Sequence, residues 1–154
     1  MVEPGTSDQQ ISELDEGQQG WLRQLLTTAA EQGIDTDVDR LAAFFEEYRG
    51  EWFAMPADER PDPNPLINVC GAAMGNLLAA ELRLRWVVLH DDLGTDLALV
   101  DIDPQPMRAT FFPLELVGRR WTDDEPDDLA PVFHTLVGQV REMRANPHQP
   151  PPAG

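Results

Sequence analysis

The fold is decided between Asn64 and Val100, which read NPLINVCGAAMGNLLAAELRLR (64–85) and then WVVLHDDLGTDLALV (86–100). The first part is almost wholly apolar and long enough for about five turns of helix. Cys70, Met74, Leu78 and Leu82 form one row at i, i+4 spacing, and Ile67, Gly71, Gly75 and Ala79 form the adjacent row. That second row is nearly bare of side chains, so a neighbouring strand or helix can lie against the backbone itself. Each glycine costs about 1 kcal/mol within a helix, a cost that close packing must offset. Asn64-Pro65 opens this helix. Trp86–His90 is β-branched and aromatic, a strand by propensity. Asp91-Asp92-Leu93-Gly94 supplies turn chemistry, and Asp96–Val100 returns as the second strand of a hairpin. Both strands carry apolar residues on both faces, which predicts a sheet covered on its two sides.

Outward from that unit, helical spacing predicts a helix from Asp15 to Gln32, with Trp21, Leu25 and Ala29 on one face, Leu22 and Leu26 beside them, and Gly33 as its stop. A second helix begins with a Thr36/Asp39 capping arrangement. It places Val38, Leu41, Phe44, Phe45, Tyr48 and Trp52 on an aromatic stripe that reads as core. The proline-rich run 55–65 is a loop. Met107–Phe112 reads as a third strand. Leu114–Trp121 reads as a short helix with Pro113 in its first turn, a continuing strand being the alternative. Leu129–Ala145 is an amphipathic helix with Phe133, Leu136, Val137, Val140 and Met143 on one face. The fold class is therefore α+β: two N-terminal helices, a central small-residue helix on a short antiparallel sheet of about three strands, and a C-terminal amphipathic helix. Residues 1–13 read as a flexible leader, 14–145 as a single domain, and 146–154 as a proline-rich tail.

With 28 acidic and 11 basic residues, all of the latter arginine, the net charge is -17. Such a chain is repelled by phosphate backbones and anionic lipid, so neither nucleic acid nor membrane is an expected partner, whereas a basic protein is. Cys70 is alone, which excludes an internal disulfide and a multi-cysteine metal site. It reads as a small core residue. The first residues have neither a basic nor an apolar targeting segment, which predicts a cytoplasmic protein. His90-Asp91-Asp92 is the cluster with acid–base or metal chemistry in it, but no His-x-x-x-His or Glu-x-x-His helix supplies further ligands. Arg119-Arg120 has the donors to clamp a carboxylate or phosphate, or to neutralise the acidic turns 91–92 and 123–125. His134 reads as a helix surface residue. No phosphate loop, Gly-x-Ser-x-Gly or Cys/His pair is present, so no cofactor and no metal are expected.

The run INVCGAAMGNLLAAELRLRWVVLHDDLGTDLALV, followed by FFPLELVGRRW, resembles the bacterial domain of unknown function 3806 family. The shared pattern is two helical glycines four apart (Gly71, Gly75), a Trp-Val strand (Trp86-Val87), an Asp/Gly turn (Asp92 and Gly94, one residue closer than the pattern), and an Asp-x-Ala-Leu strand (Asp96, Ala98-Leu99). Phe112-Pro113 and a basic pair, Arg119-Arg120 where members often carry Lys-Arg, complete it. The similarity spans roughly residues 66–140. It implies a compact α+β domain and transfers no activity and no site residues.

Two functions of different class follow. The first is a non-catalytic binding protein, such as an immunity-type inhibitor or a secretion chaperone, whose acidic loops at one end of the sheet meet a basic partner. The second is a small-molecule sensor or enzyme built on His90, Asp91, Asp92, Arg119 and Arg120, which then converge around a pocket.

Overall fold

In a computed structural model of the chain, the described residues are 10–92, 94–103, 109–122 and 128–145, with the backbone alone for Asp91. Helices α1 (Glu16–Glu31), α2 (Val38–Ala54), α3 (Asn64–Leu82), α4 (Pro113–Thr122) and α5 (Leu129–Ala145) accompany strands β1 (Gln10–Ser12), β2 (Leu84–Asp91), β3 (Gly94–Asp101) and β4 (Thr110–Phe111). The strands form one antiparallel sheet in the order β1-β2-β3-β4. This is the predicted α+β arrangement, with an extra edge strand. Residues 10–12, read from the sequence as part of a flexible leader, pair with Val88–His90 and so belong to the domain. The rest of that leader, 1–9, the tail 146–154, the start of the expected third strand at 107–108, and the acidic turn 123–127 lie outside the described residues.

The centre is α3, which packs against α1, α2, α4, α5 and both long strands. From Val69 to Gly75 every residue is buried, so this stretch is enclosed on all sides. Its length and apolarity match those of a membrane span, yet more than half of that window is buried against the rest of the fold. The Cys70–Met74–Leu78–Leu82 row packs into the main core with Phe45 of α2, Trp121 of α4, and Phe133 and Val137 of α5. Ala72 meets a second cluster formed by Leu14, Leu22 of α1 and Val88 of β2.

The glycine row receives both the hairpin and a helix. A Cβ at Gly71 would stand 2.8 Å from the Leu114 Cα of α4; one at Gly75 would stand 2.5 Å from Cη2 of Trp86 and 3.0 Å from Cγ of Pro113. Neither position has room for a side chain. The Trp86 indole and the first turn of α4 therefore rest on the backbone of α3.

The hairpin register pairs Trp86 with Leu99, Val87 with Ala98 and Asp91 with Gly94. Gly94, at φ 141, supplies a backbone that other residues rarely adopt. Residues 84, 86, 88, 97 and 99 share the face toward the helices. On the opposite face Val87, Leu89, Ala98 and Val100 form a separate buried cluster, with Ile11 and Phe112 packed against it. The expectation of two covered faces thus holds for the strand centres.

Local signals account for most element ends. Asp15 caps α1 in a full capping box with Gln18, and Gly33 follows at φ 71. Asp37, not Thr36, caps α2, accepting from the backbone N–H of Asp39 and Arg40. Leu22 and Ala29 are the buried residues of α1, and Trp21, expected on the same inner face, is exposed. α4 is helical throughout, which decides between the two expectations for 114–121.

Between α3 and β2 stands a single residue, Arg83, the one non-glycine at positive φ (56) among the described residues. With no loop to reverse the chain, this residue must take the left-handed conformation, which costs an L-residue about 1–2 kcal/mol. Its carbonyl accepts from Ile102 N–H at 3.0 Å and its Nε donates to Asp103 Oδ2 at 2.9 Å, holding the junction.

Gly75→Ala should lose about 1–3 kcal/mol of unfolding free energy, because the methyl group must displace Trp86 or Pro113. Gly50→Ala on α2, where an added Cβ meets nothing within 4 Å, should instead gain about 0.5–1 kcal/mol. Urea denaturation of the two variants reads both signs.

Candidate functional site

The five residues singled out from the sequence occupy two places. His90 lies near the end of β2 on the helix-facing side, with Nε2 2.9 Å from Ser12 Oγ of β1 and Nδ1 3.1 Å from Thr95 Oγ1 of β3. Both ring nitrogens are thus used in a row that ties three strands together. Hydroxyls donate or accept, so the row accommodates either tautomer and the charged ring. Asp91 is in the strand through its backbone, and Asp92 is exposed in the turn. Arg119 and Arg120 are on the last turns of α4, where cations suit the helix dipole. Arg119 donates to Glu115 at 2.6 Å, an exposed i, i+4 pair worth a few tenths of a kcal/mol. Arg120 folds back on its own helix, Nη1 donating to the Leu116 carbonyl at 3.0 Å.

Between the hairpin, α1 and α4 lies a cleft of about 220 Å³ lined by Thr95, Leu97, Leu114, Glu115 and the exposed Trp21, and none of His90, Asp92, Arg119 and Arg120 is in its lining. Thr95 and Glu115 in that lining are the hydrogen-bond partners of His90 and Arg119. A second, larger cleft of about 450 Å³ opens where the α1–α2 turn meets α3 and α5. Val38, Leu77 and Phe133 line it along with Asp35, Glu81 and His134. Glu81 is already paired with Arg141 at 2.6 Å, and Asp37, also in the lining, is committed to capping α2. Among the described residues no three His, Cys, Asp or Glu side chains are grouped to hold a metal ion.

The acidic segment 91–103 does not gather at one end of the sheet, contrary to the sequence expectation. It runs the full length of β3, so Asp92 and Asp103 stand at opposite ends of the hairpin. Asp101 is internal. Its Oδ1 accepts from Arg144 of α5 and its Oδ2 from the Ala109 N–H at 2.7 Å, with the carboxylate side chain only 4% exposed and the guanidinium 23%. One carboxylate thereby fixes the end of α5, the end of β3 and the start of β4. Asp103 is exposed, and its hydrogen bond to Arg83, followed by the charge of that guanidinium, holds its carboxyl below the ordinary range. A depressed carboxyl stabilises the fold above its ordinary pKa and loses that contribution on acidification; solvent keeps this one small.

The C-terminal end of α2 is the other place where charge and aromatic rings meet. Arg60 reaches back from the following loop, Nε donating to the carbonyls of Trp52 at 3.0 Å and Met55 at 3.1 Å, and Nη2 to that of Phe53 at 2.8 Å. Its guanidinium lies 4.9 Å from the Trp52 ring and 5.3 Å from the Phe53 ring. Arg49 lies 4.8 Å from Phe53 and donates through Nε to the Trp121 carbonyl at 2.9 Å. The helix end is thus capped by a side chain that satisfies its last carbonyls while stacking on its last rings. No sequence motif announces this, since the cap lies five to eight residues downstream and beyond Pro56.

These features define an α+β domain of four α-helices about a glycine-notched fifth and a four-stranded sheet, with shallow clefts among the described residues. The profile of the family described as Domain of unknown function (DUF3806) matches residues 51–133, more than half of the chain, and the chain belongs to that family. The match begins upstream of the span the sequence resemblance suggested, taking in the end of α2, and it stops within α5. No curated protein and no solved structure matches the chain. Within the matched span Gly71 lies against Leu114, and Gly75 against Trp86 and Pro113, so the family pattern marks the packing centre.

Cys70 lies in that centre, and burial pushes its thiol from 9.0 up to about 12. A raised pKa favours the neutral thiol in the folded state, so the associated stability is complete below pH 9 and drains as pH rises toward 12. Stability should fall about 1.4 kcal/mol per pH unit more steeply across that window in the native protein than in Cys70→Ala. Native-state labelling by a thiol reagent at pH 8 should be negligible until the chain unfolds.

Proposed function

We propose that this protein is a non-catalytic binding module for a basic protein partner. The observation that carries this reading is how the arginines are used. Arg49, Arg60, Arg83, Arg85, Arg119, Arg120, Arg141 and Arg144, eight of the eleven basic residues, are held by carboxylates, backbone carbonyls or aromatic rings of the fold itself. The ion pairs among the described residues engage Glu13, Glu81, Asp101, Asp103 and Glu115. Glu46, Glu47 and Glu51 on α2, and Asp58 and Glu59 after it, stand exposed. An excess of fixed carboxylates over cations already committed internally leaves a negative field facing outward. Such a field accelerates encounter with a positive surface and rejects negative ones. An inhibitor covering a cationic site and a chaperone holding a cationic segment both make this use of it.

Affinity capture from the source cells tests the reading. A partner of basic pI should be retained at low salt and released near about 0.5 M, where screening shortens electrostatic reach to a few ångström. Glu46→Gln/Glu47→Gln/Glu51→Gln should retain several-fold less of it. Capture that is indifferent to salt, or of proteins with no basic bias, contradicts the reading.

A further inference from the structure

We infer that the last two turns of α2, with Met55 beyond them, form the docking surface of this module, and that its occupant is a basic amphipathic segment of the partner protein. The inference rests on the binding role just proposed and adds where the partner sits and what it presents.

The fully buried part of α2 ends early. Val38, Leu41, Ala42 and Phe45 are its buried residues, and nothing from Glu46 onward is buried. Yet this half carries Tyr48, Trp52 and Phe53, with Met55 next. Tyr48 is 43% exposed, Phe53 42% and Met55 38%, three of the five large apolar residues that stand exposed among the described residues. Aromatic residues and methionine are the types enriched where protein interfaces form. Trp52 anchors the cluster on the core through Trp121, while core packing leaves Tyr48, Phe53 and Met55 with large exposed faces.

The surface is also held in shape. The Phe44 and Tyr48 rings pack at 4.6 Å between centroids, and Trp52 Nε1 donates to the Pro61 carbonyl at 2.7 Å. Arg60 clamps Trp52 and Phe53 while capping the helix, and Arg49 covers Phe53. Rings fixed before binding lose less freedom on binding. Both arginines are turned onto rings and carbonyls, so the charge offered around the patch comes from Glu47, Glu51, Asp58 and Glu59, all exposed. Apolar anchors rimmed by carboxylates are complementary to an apolar stripe rimmed by lysine or arginine. That complementarity selects a basic amphipathic segment over an acidic one, over a second copy of this acidic chain, and over a purely cationic tail.

The test uses the full chain and three synthetic peptides of equal length: an amphipathic lysine–leucine peptide, a lysine-only peptide and a glutamate–leucine peptide. Amide and indole NMR shifts give the place of binding and fluorescence anisotropy the affinity. The lysine–leucine peptide should bind tightest and shift Tyr48, Glu51, Trp52, Phe53 and Met55. Tyr48→Ala/Met55→Ala should weaken it roughly tenfold or more with the melting temperature unchanged, since both side chains are exposed. Glu47→Gln/Glu51→Gln should mainly slow association and flatten its salt dependence. Shifts centred elsewhere, an unaffected double alanine variant, or equal binding of the lysine-only peptide overturn the docking surface while leaving a basic partner in place. Binding of none of the cationic peptides at low salt overturns both.

Discussion

Everything in this fold is hung on the absence of two side chains. With hydrogen atoms at Gly71 and Gly75, the Trp86 indole and the Pro113–Leu114 turn reach the backbone of α3. Because α3 is enclosed from Val69 to Gly75, the same helix also sets the distance at which α1, α2 and α5 pack. Filling the notch would lift the hairpin on one side and α4 on the other. The helix propensity forgone at two glycines, about 2 kcal/mol together, is small beside the burial of an indole and a helix turn, at roughly 25 cal/mol per Å² of apolar surface.

A second tier of constraint closes the periphery. Arg83 in its left-handed conformation allows helix to become strand with no loop. Arg144 and Asp101 tie the last helix to the sheet where the chain leaves β3. A pair buried to that degree is costly to break from one side, because the remaining charge is stranded. Arg60 does the corresponding work at the end of α2. Arginine is thus a structural residue at these three points.

The sequence made the centre legible because spacing alone carries that information. Two glycines four apart inside an apolar helix imply close approach whatever approaches, and the hairpin follows from β-branched runs around an Asp/Gly turn. It was silent where the determinant is a distant partner. Asp101 reads as one more acid in a loop until Arg144, forty-three residues on, is placed beside it. β1 is three residues long and largely polar, so only its pairing with β2 reveals it. The stripe on α2 was read as core throughout; Val38, Leu41 and Phe45 are buried and Phe44 and Trp52 pack against the core, but Tyr48 stands exposed. His90 and the Arg119-Arg120 pair have identities that fit chemistry, but identity says nothing of their partners, which prove to be hydroxyls, a carboxylate on the same helix and a backbone carbonyl.

The most direct test of the central constraint is a double-mutant cycle on unfolding free energy joining Gly75→Ala and Trp86→Leu. If the indole rests on the Gly75 backbone, the smaller side chain at position 86 relieves the crowding. The double variant is then more stable than the sum of the single losses predicts, by about 1 kcal/mol or more. Strict additivity of the two losses would show that Trp86 does not occupy the notch, and the account of how this chain folds would fail there.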